Sequence, residues 1–258
     1  MTEQAARAAS FRASHLPGSP LVLFNVWDAG SARAVTSAGA RALATGSWAV
    51  AAAHGFADGE KLPLDLVMAN LQRIIAVTEL PVSIDLESGY GANPGDVAST
   101  VGRAIAAGAV GCNLEDSYPA DGALRPLSEA AQRIAAARAA ADRSGIQLFI
   151  NARCDVFFQT SPEAHDRASV ATALERAQAY ADAGADGLFV PGLLRTDLIG
   201  AVVEASPLPV NIMVGGASPP LSELAELGVG RISFGPGPYV AAMKGVQEAA
   251  EAAIAALT

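Results

Sequence analysis

Three carboxylates and one guanidinium stand where this chain could do chemistry. Asp85 and Glu87 lie two residues apart in Ser83-Ile84-Asp85-Leu86-Glu87, so on a strand both side chains leave the same face. Glu115 closes a second apolar run, Cys112-Asn113-Leu114-Glu115, and can join them. Carboxylates gathered without Cys or His ligands describe a hard-oxygen site suited to Mg2+ or Mn2+. Crowded carboxylates also repel one another, which a cation relieves. The same acids read equally as helix N-caps and exposed loop residues, a role that suits Asp28 and Asp116. Spacing alone leaves both open. Arg153, in Asn151-Ala152-Arg153-Cys154-Asp155, can grip a carboxylate or phosphate through paired hydrogen bonds, or it can pair with Asp155.

Other reactive residue types are sparse. Cys154 has no histidine tied to it by motif, so it reads as a buried thiol rather than a nucleophile. Cys112 sits mid-strand and reads as core. His15, His54 and His165 show no ligand spacing; His54 alone falls in a loop that can reach the site. Asp58, in Gly55-Phe56-Ala57-Asp58-Gly59, is either a turn former or a site acid.

The rest of the composition narrows the partners. The chain has 258 residues and a net charge of −9, which argues against nucleic acid, whose phosphates need clustered Lys and Arg. It leaves room for a small anionic substrate at a locally positive site. Hydrophobic residues make up 51% and aromatics only 5%, so the core is built of Ala, Val, Leu and Ile. Two cysteines are too few for a disulfide scaffold and point to a reduced, cytoplasmic setting. The uncharged stretches at 42–57 and 205–222 are broken by Gly, His or Pro, so no membrane span is expected. The first twenty residues lack the apolar core of a signal peptide.

The elements that must position these residues repeat one signature. An Ala-rich helical segment ends at Gly39, Gly108, Gly184 or Gly228, and a short apolar run follows at once. Glycine past a helix end takes the left-handed conformation that closes it. Runs of this kind have the length and composition of strands buried on both faces. Eight strands are expected, starting near 21, 41, 81, 109, 146, 186, 208 and 230, with helices between them. Eight βα units in one chain without a linker give a single domain, 1–258, built as an α/β (β/α)8 TIM barrel. The competing open, doubly wound sheet lacks its glycine-rich phosphate fingerprint after the first strand. A barrel works at the C-terminal ends of its strands, and polar residues collect there: Asn25 and Asp28, Ser47, Asp85 and Glu87, Glu115, Arg153. Trp27, Trp48 and Asn211, on strand seven, are placed with Ser47, Asp85 and Arg153 as substrate-facing residues.

The motifs Asp85-Leu86-Glu87-Ser88-Gly89-Tyr90-Gly91, Asn113-Leu114-Glu115-Asp116 and Asn151-Ala152-Arg153-Cys154-Asp155 resemble those of the isocitrate lyase/phosphoenolpyruvate mutase superfamily. Asn25-Val26-Trp27-Asp28-Ala29-Gly30-Ser31-Ala32, Ser47, Asp58 and Phe234-Gly235 are similar to further elements of that family in the same order. The resemblance implies a barrel whose last helix is swapped with a neighbour in a homo-oligomer, a tetramer or dimer. It implies Mg2+ held by Asp85, Glu87 and Glu115, largely through water. It implies a 2-oxo acid whose carboxylate meets Ser47 and nearby amides, with Arg153 on its oxyanion side and a pyruvate enolate as intermediate.

Departures from the family pattern choose among its reactions. The lyases of this superfamily that cleave isocitrate-like substrates carry a Lys-Lys/Arg-Cys-Gly loop after strand four. Here Asp116 to Pro126 holds no cysteine. The mutase and hydrolase branch carries an asparagine in that loop, and none lies between Asn113 and Asn151. Glu87 stands where aspartate is common, with an arm long enough to reach a metal or its water. The reading is a Mg-dependent C–C lyase or decarboxylase acting on a small 2-oxo acid such as oxaloacetate. Phosphonopyruvate hydrolase or mutase chemistry is the alternative, and a non-catalytic 2-oxo-acid-binding barrel the second. Arg153 and Asp58 are expected in catalysis, with Tyr118 or Asp121 as proton donor on a lid formed by 117–126.

Overall fold

Eight short apolar runs form eight parallel strands. The computed structural model describes residues 2–257 and contains β1 (Leu21–Leu23), β2 (Leu43–Ala44), β3 (Val82–Asp85), β4 (Gly111–Glu115), β5 (Phe149–Arg153), β6 (Gly187–Phe189), β7 (Val210–Met213) and β8 (Arg231–Ser233). Their order is β1-β8-β7-β6-β5-β4-β3-β2, so the last strand pairs with the first. One bridge closes the remaining gap: Val26 donates its N–H to the Ala44 carbonyl at 2.9 Å, beside the Val26–Thr45 pairing. This is the expected (β/α)8 barrel and excludes the open sheet. Met1 and Thr258, the ends of the expected 1–258 domain, lie outside the described residues.

Ten α-helices accompany the strands: α1 (Glu3–Ala13), α2 (Ala29–Ser37), α3 (Ser47–Ala53), α4 (Leu64–Ile75), α5 (Pro94–Ala106), α6 (Leu127–Ser144), α7 (Arg167–Asp182), α8 (Thr196–Ala205), α9 (Leu221–Glu226) and α10 (Gly237–Ala255) among the described residues. Gly39, Gly108, Gly184 and Gly228 all take positive φ, as their place after a helix predicts. Asp28 caps α2 through a reciprocal box with Ser31. Asp116 is no cap. It is a buried acceptor for Arg176 and the Tyr180 hydroxyl.

Two helices, α1 and α3, were not legible in the sequence. Helix α1 has no strong apolar stripe, yet it seals the N-terminal end of the barrel. Phe11 is fully buried edge-on to Phe149, the first residue of β5. A Cβ at Gly111 would come within 2.7 Å of that Phe11 ring, so the contact requires glycine. His15 stacks on Phe149 with ring centroids 3.8 Å apart. Burial, aided by the nearby Arg231 charge, pulls its pKa down to about 3. Above this floor, Asn151 donates to Asn113 at 2.9 Å and to Asn211 at 3.1 Å, crossing the barrel interior.

Helix α10 packs on its own barrel only through its first turn, where Tyr239 meets Trp27. Pro238 is its one buried residue, while Val240, Met243, Val246 and Ile254 are exposed. The barrel face between β1 and α2 is correspondingly open. It forms a groove of about 580 Å³ lined by residues that include Val22, Phe24 and Val35. No helix among the described residues is long and apolar enough to cross a membrane.

Candidate active site

The C-terminal strand ends surround a cavity of about 210 Å³. Its polar arc runs from β1 to β5 and presents Asn25, Ser47, Trp48, Asp58, Asp85, Asn113 and Arg153. Its far arc follows β5, β6 and β7 and presents Phe158, Phe189, Pro191 and Met213. Asn25 pins the rim: its side-chain oxygen accepts the Phe234 and Gly235 amides, both at 2.9 Å.

Asp85 is the last residue of β3. Its backbone N–H donates to the Thr45 hydroxyl at 2.9 Å. Its carboxylate accepts the Ser47 N–H at 3.1 Å, which ties β3 to the start of α3. Arg153, the last residue of β5, is clamped from both sides. Its Nε and one terminal nitrogen donate to Asp155 at 2.6 and 3.0 Å, and the other pairs with Glu115 at 2.6 Å. Asp155 is itself held by the Ser117 hydroxyl at 2.6 Å, and its backbone N–H donates to Asp116 at 2.8 Å. Burial opposes the guanidinium charge, but Glu115 and Asp155 outweigh it and raise the pKa further, so Arg153 stays protonated.

Negative charge is in excess around this cation. Burial pushes the Glu87 carboxyl up to about 7, with Asp85 and Asp58 adding to the shift against a hydrogen bond from Tyr90. Glu115 is raised by burial despite its Arg153 partner. Asp58 is raised by burial and then by Asp85. Such a set fits a divalent cation, which would neutralise what burial makes costly. The fit is of one kind only. Among the described residues, no three His, Cys, Asp or Glu side chains converge closely enough to enclose an ion directly. Asp85 faces the cavity and can ligate; Glu87 and Glu115, behind it, can act through water.

Glu87 is set back for a reason visible in the backbone. β3 ends at Asp85, and Glu87 has φ +49°, which ends the strand alternation. Its carboxylate instead accepts the Tyr90 hydroxyl at 2.8 Å and the Glu60 backbone N–H. Glu60, which the sequence did not single out, also has positive φ and accepts Ser88 and the Tyr90 amide at 2.8 Å. It holds the loop after α3 against the loop after β3.

Of the residues placed at the site from sequence, Ser47, Trp48, Asp58, Asp85 and Arg153 share this cavity. Glu87 and Glu115 lie behind it, and four further residues do not line it. Trp27 turns aside to meet Tyr239 edge-on at 5.2 Å. Asn211 points into the barrel, where its amide donates to Ser233 at 3.1 Å. Tyr118 lies over Arg125, 4.2 Å from guanidinium to ring centre, and donates to Glu129 at 2.7 Å. Asp121 accepts the Ala123 amide within its own turn. Pairing of Ser117 with Leu124 and a Gln159 hydrogen bond to Gly122 hold that loop in place. The far-arc residues were missed because strand ends were searched for polar groups; their signal was position, not type.

The family model for phosphoenolpyruvate phosphomutase matches residues 11–254. A crystal structure from Burkholderia cenocepacia J2315, provisionally assigned as a phosphonomutase, is 58% identical with a TM-score of 0.95, covering 97% of this chain and 99% of that one. Oxaloacetate decarboxylase of Bradyrhizobium sp. strain BTAi1 is 33% identical over 236 residues, 88% of this chain and 78% of its own length. A phosphonopyruvate hydrolase solved with oxalate and Mg2+ is 26% identical with a TM-score of 0.79, covering 96% of this chain and 85% of that one. Cavity, strand ends and these likenesses agree along the whole chain, which belongs to the phosphoenolpyruvate mutase/isocitrate lyase superfamily.

Proposed function

We propose that the protein is a Mg2+-dependent C–C lyase that cleaves a small 2-oxo acid through a pyruvate enolate, with oxaloacetate decarboxylation its simplest form. One observation carries this reading: a single protonated arginine, fixed by Glu115 and Asp155, faces the same cavity as Asp85 and Ser47. In that cavity the Ser47 hydroxyl meets the substrate carboxylate. Arg153 lies where negative charge develops on the 2-oxo oxygen, and its fixed geometry removes the cost of reorienting at that moment. When bound, a divalent ion at Asp85 supplies Lewis-acid polarisation of the oxo group. Asp58, whose pKa is raised by burial and then by Asp85, is the acid on the cavity wall assigned to return a proton to C3. Phosphonopyruvate, which adds a phosphonate to the carboxylate, is disfavoured, because Arg153 is the one cation lining the cavity among the described residues and already faces two carboxylates.

Pyruvate formation from oxaloacetate tests the reading, after subtracting decarboxylation by free metal. Turnover is expected with Mg2+ or Mn2+ and is expected to vanish with EDTA. Equal rates with and without EDTA would sink it.

The exposed α10 and the open groove on β1 and α2 support a further reading, that α10 of one chain covers the groove of another in a homo-oligomer. A mass measurement in solution should then show a dimer or tetramer, and Val246→Glu should shift it toward monomer. A monomeric wild-type protein would overturn this. Two buried free thiols, Cys112 and Cys154, accord with a cytoplasmic setting.

A further inference from the structure

The far arc of the cavity is built, not left over. Gly192, with φ +84°, has no room for a side chain: a Cβ there would lie 2.9 Å from the Phe158 ring. Gly235, with φ +54°, is likewise pressed to Met213, whose sulfur would stand 2.5 Å from a Cβ. Both glycines let the backbone adopt its turn and let an apolar side chain pack against it. Phe189 and Pro191 complete the surface between them. Phe158 nevertheless remains 48% exposed, an apolar ring on the cavity wall with the Arg153 guanidinium 5.5 Å from its centre. The far arc carries no charged side chain, and Arg153, the one cation lining the cavity among the described residues, already faces Asp155 and Glu115. A surface of this kind rewards burial of hydrocarbon and offers nothing to a second anion.

We propose that this arc seats an alkyl chain carried on C3 of the 2-oxo acid, so that the substrate class is C3-alkylated 2-oxo acids. The inference rests on the 2-oxo-acid reading above. For a C3-alkyl oxaloacetate, the bond from C3 to the departing carboxylate breaks and CO2 leaves. The electron pair passes into the C2–C3 enolate, and C3 then takes one proton. The product is the straight 2-oxo acid, R-CH2-CO-COO−.

Calorimetric titration of the wild-type protein with Mg2+ and a series of such products tests this. Pyruvate, 2-oxobutanoate, 2-oxopentanoate and 2-oxoglutarate serve as probes. Each added methylene should tighten binding by about two- to fourfold. 2-Oxoglutarate, with its terminal charge, should bind more weakly than 2-oxopentanoate. Phe158→Ala, at a half-exposed position, should reduce the gain per methylene. A flat or falling series, or 2-oxoglutarate as the tightest ligand, would overturn the alkyl seat while leaving the 2-oxo-acid reading intact. Failure of all four to bind would remove both.

Discussion

Replacing Asp85 by alanine should cut turnover by on the order of 10³-fold or more while the barrel stays folded. Lewis-acid stabilisation at such a site supplies several kcal/mol, and each ~1.4 kcal/mol is tenfold in rate. Asp85 is the one acid of the expected metal trio that lines the cavity; Asp58, the other acid on that wall, is the proposed proton donor rather than a ligand. Its backbone N–H to Thr45 does not depend on the side chain, and the Ser47 N–H that loses its carboxylate acceptor lies on the cavity wall, where water can replace it. The substitution also removes charge from a crowd of acids that raise one another's pKa values. The metal-free variant should therefore melt no lower than wild type, while the stabilisation that Mg2+ confers on wild type should disappear. Thermal melts with and without Mg2+, beside the pyruvate assay, separate this from simple unfolding. A variant that keeps its Mg2+ response would place the ion elsewhere.

Arg153→Ala should damage folding as well as catalysis. The side chain is 19% exposed and faces two carboxylates that are 10% and 3% exposed. Removing one partner of a buried ion pair leaves uncompensated charge, at about 3–5 kcal/mol. Urea unfolding should show a loss of that size. Arg153→Lys keeps the charge but not the paired geometry toward Asp155. It should recover part of the stability and little of the rate, with kcat/KM down on the order of 10²–10³-fold, as for loss of a fixed oxyanion donor. Near-wild-type kcat/KM in the lysine variant would show that Arg153 serves the fold alone.

The barrel was legible because its signals are local and repeated. A glycine after each of four helices, followed by a run of buried residues, sets strand starts within a few residues of those observed. Helix α1 escaped because its role is tertiary: Phe11 and His15 matter through Phe149, far away in sequence. The site was legible where a residue ends its strand, as at Asp85 and Arg153. It was misread where strand logic stops. Two-residue spacing aligns Asp85 with Glu87 only while the chain stays extended, and the left-handed backbone at Glu87 turns its carboxylate to Tyr90. Asn211 erred the other way, since barrel strands point polar side chains into the interior as well as toward the mouth. Tyr118 and Asp121 lie in a loop whose course is set by the Ser117–Leu124 pairing and the Arg125 stack.

The division of the cavity has a consequence for how such a chain can change. Groups for the shared chemistry come from β1 to β5, and the hydrocarbon surface from segments after Arg153. Inheritance of the two is thus nearly separable along the gene, with a natural seam directly after Asp155. Exchange of the segment beyond that seam between relatives would transplant preference for one carbon skeleton over another and leave the bond-breaking apparatus in place. Diversification of such a chain can proceed by substitution in the segment after Asp155, where changes reshape what is recognised without touching how it is cut.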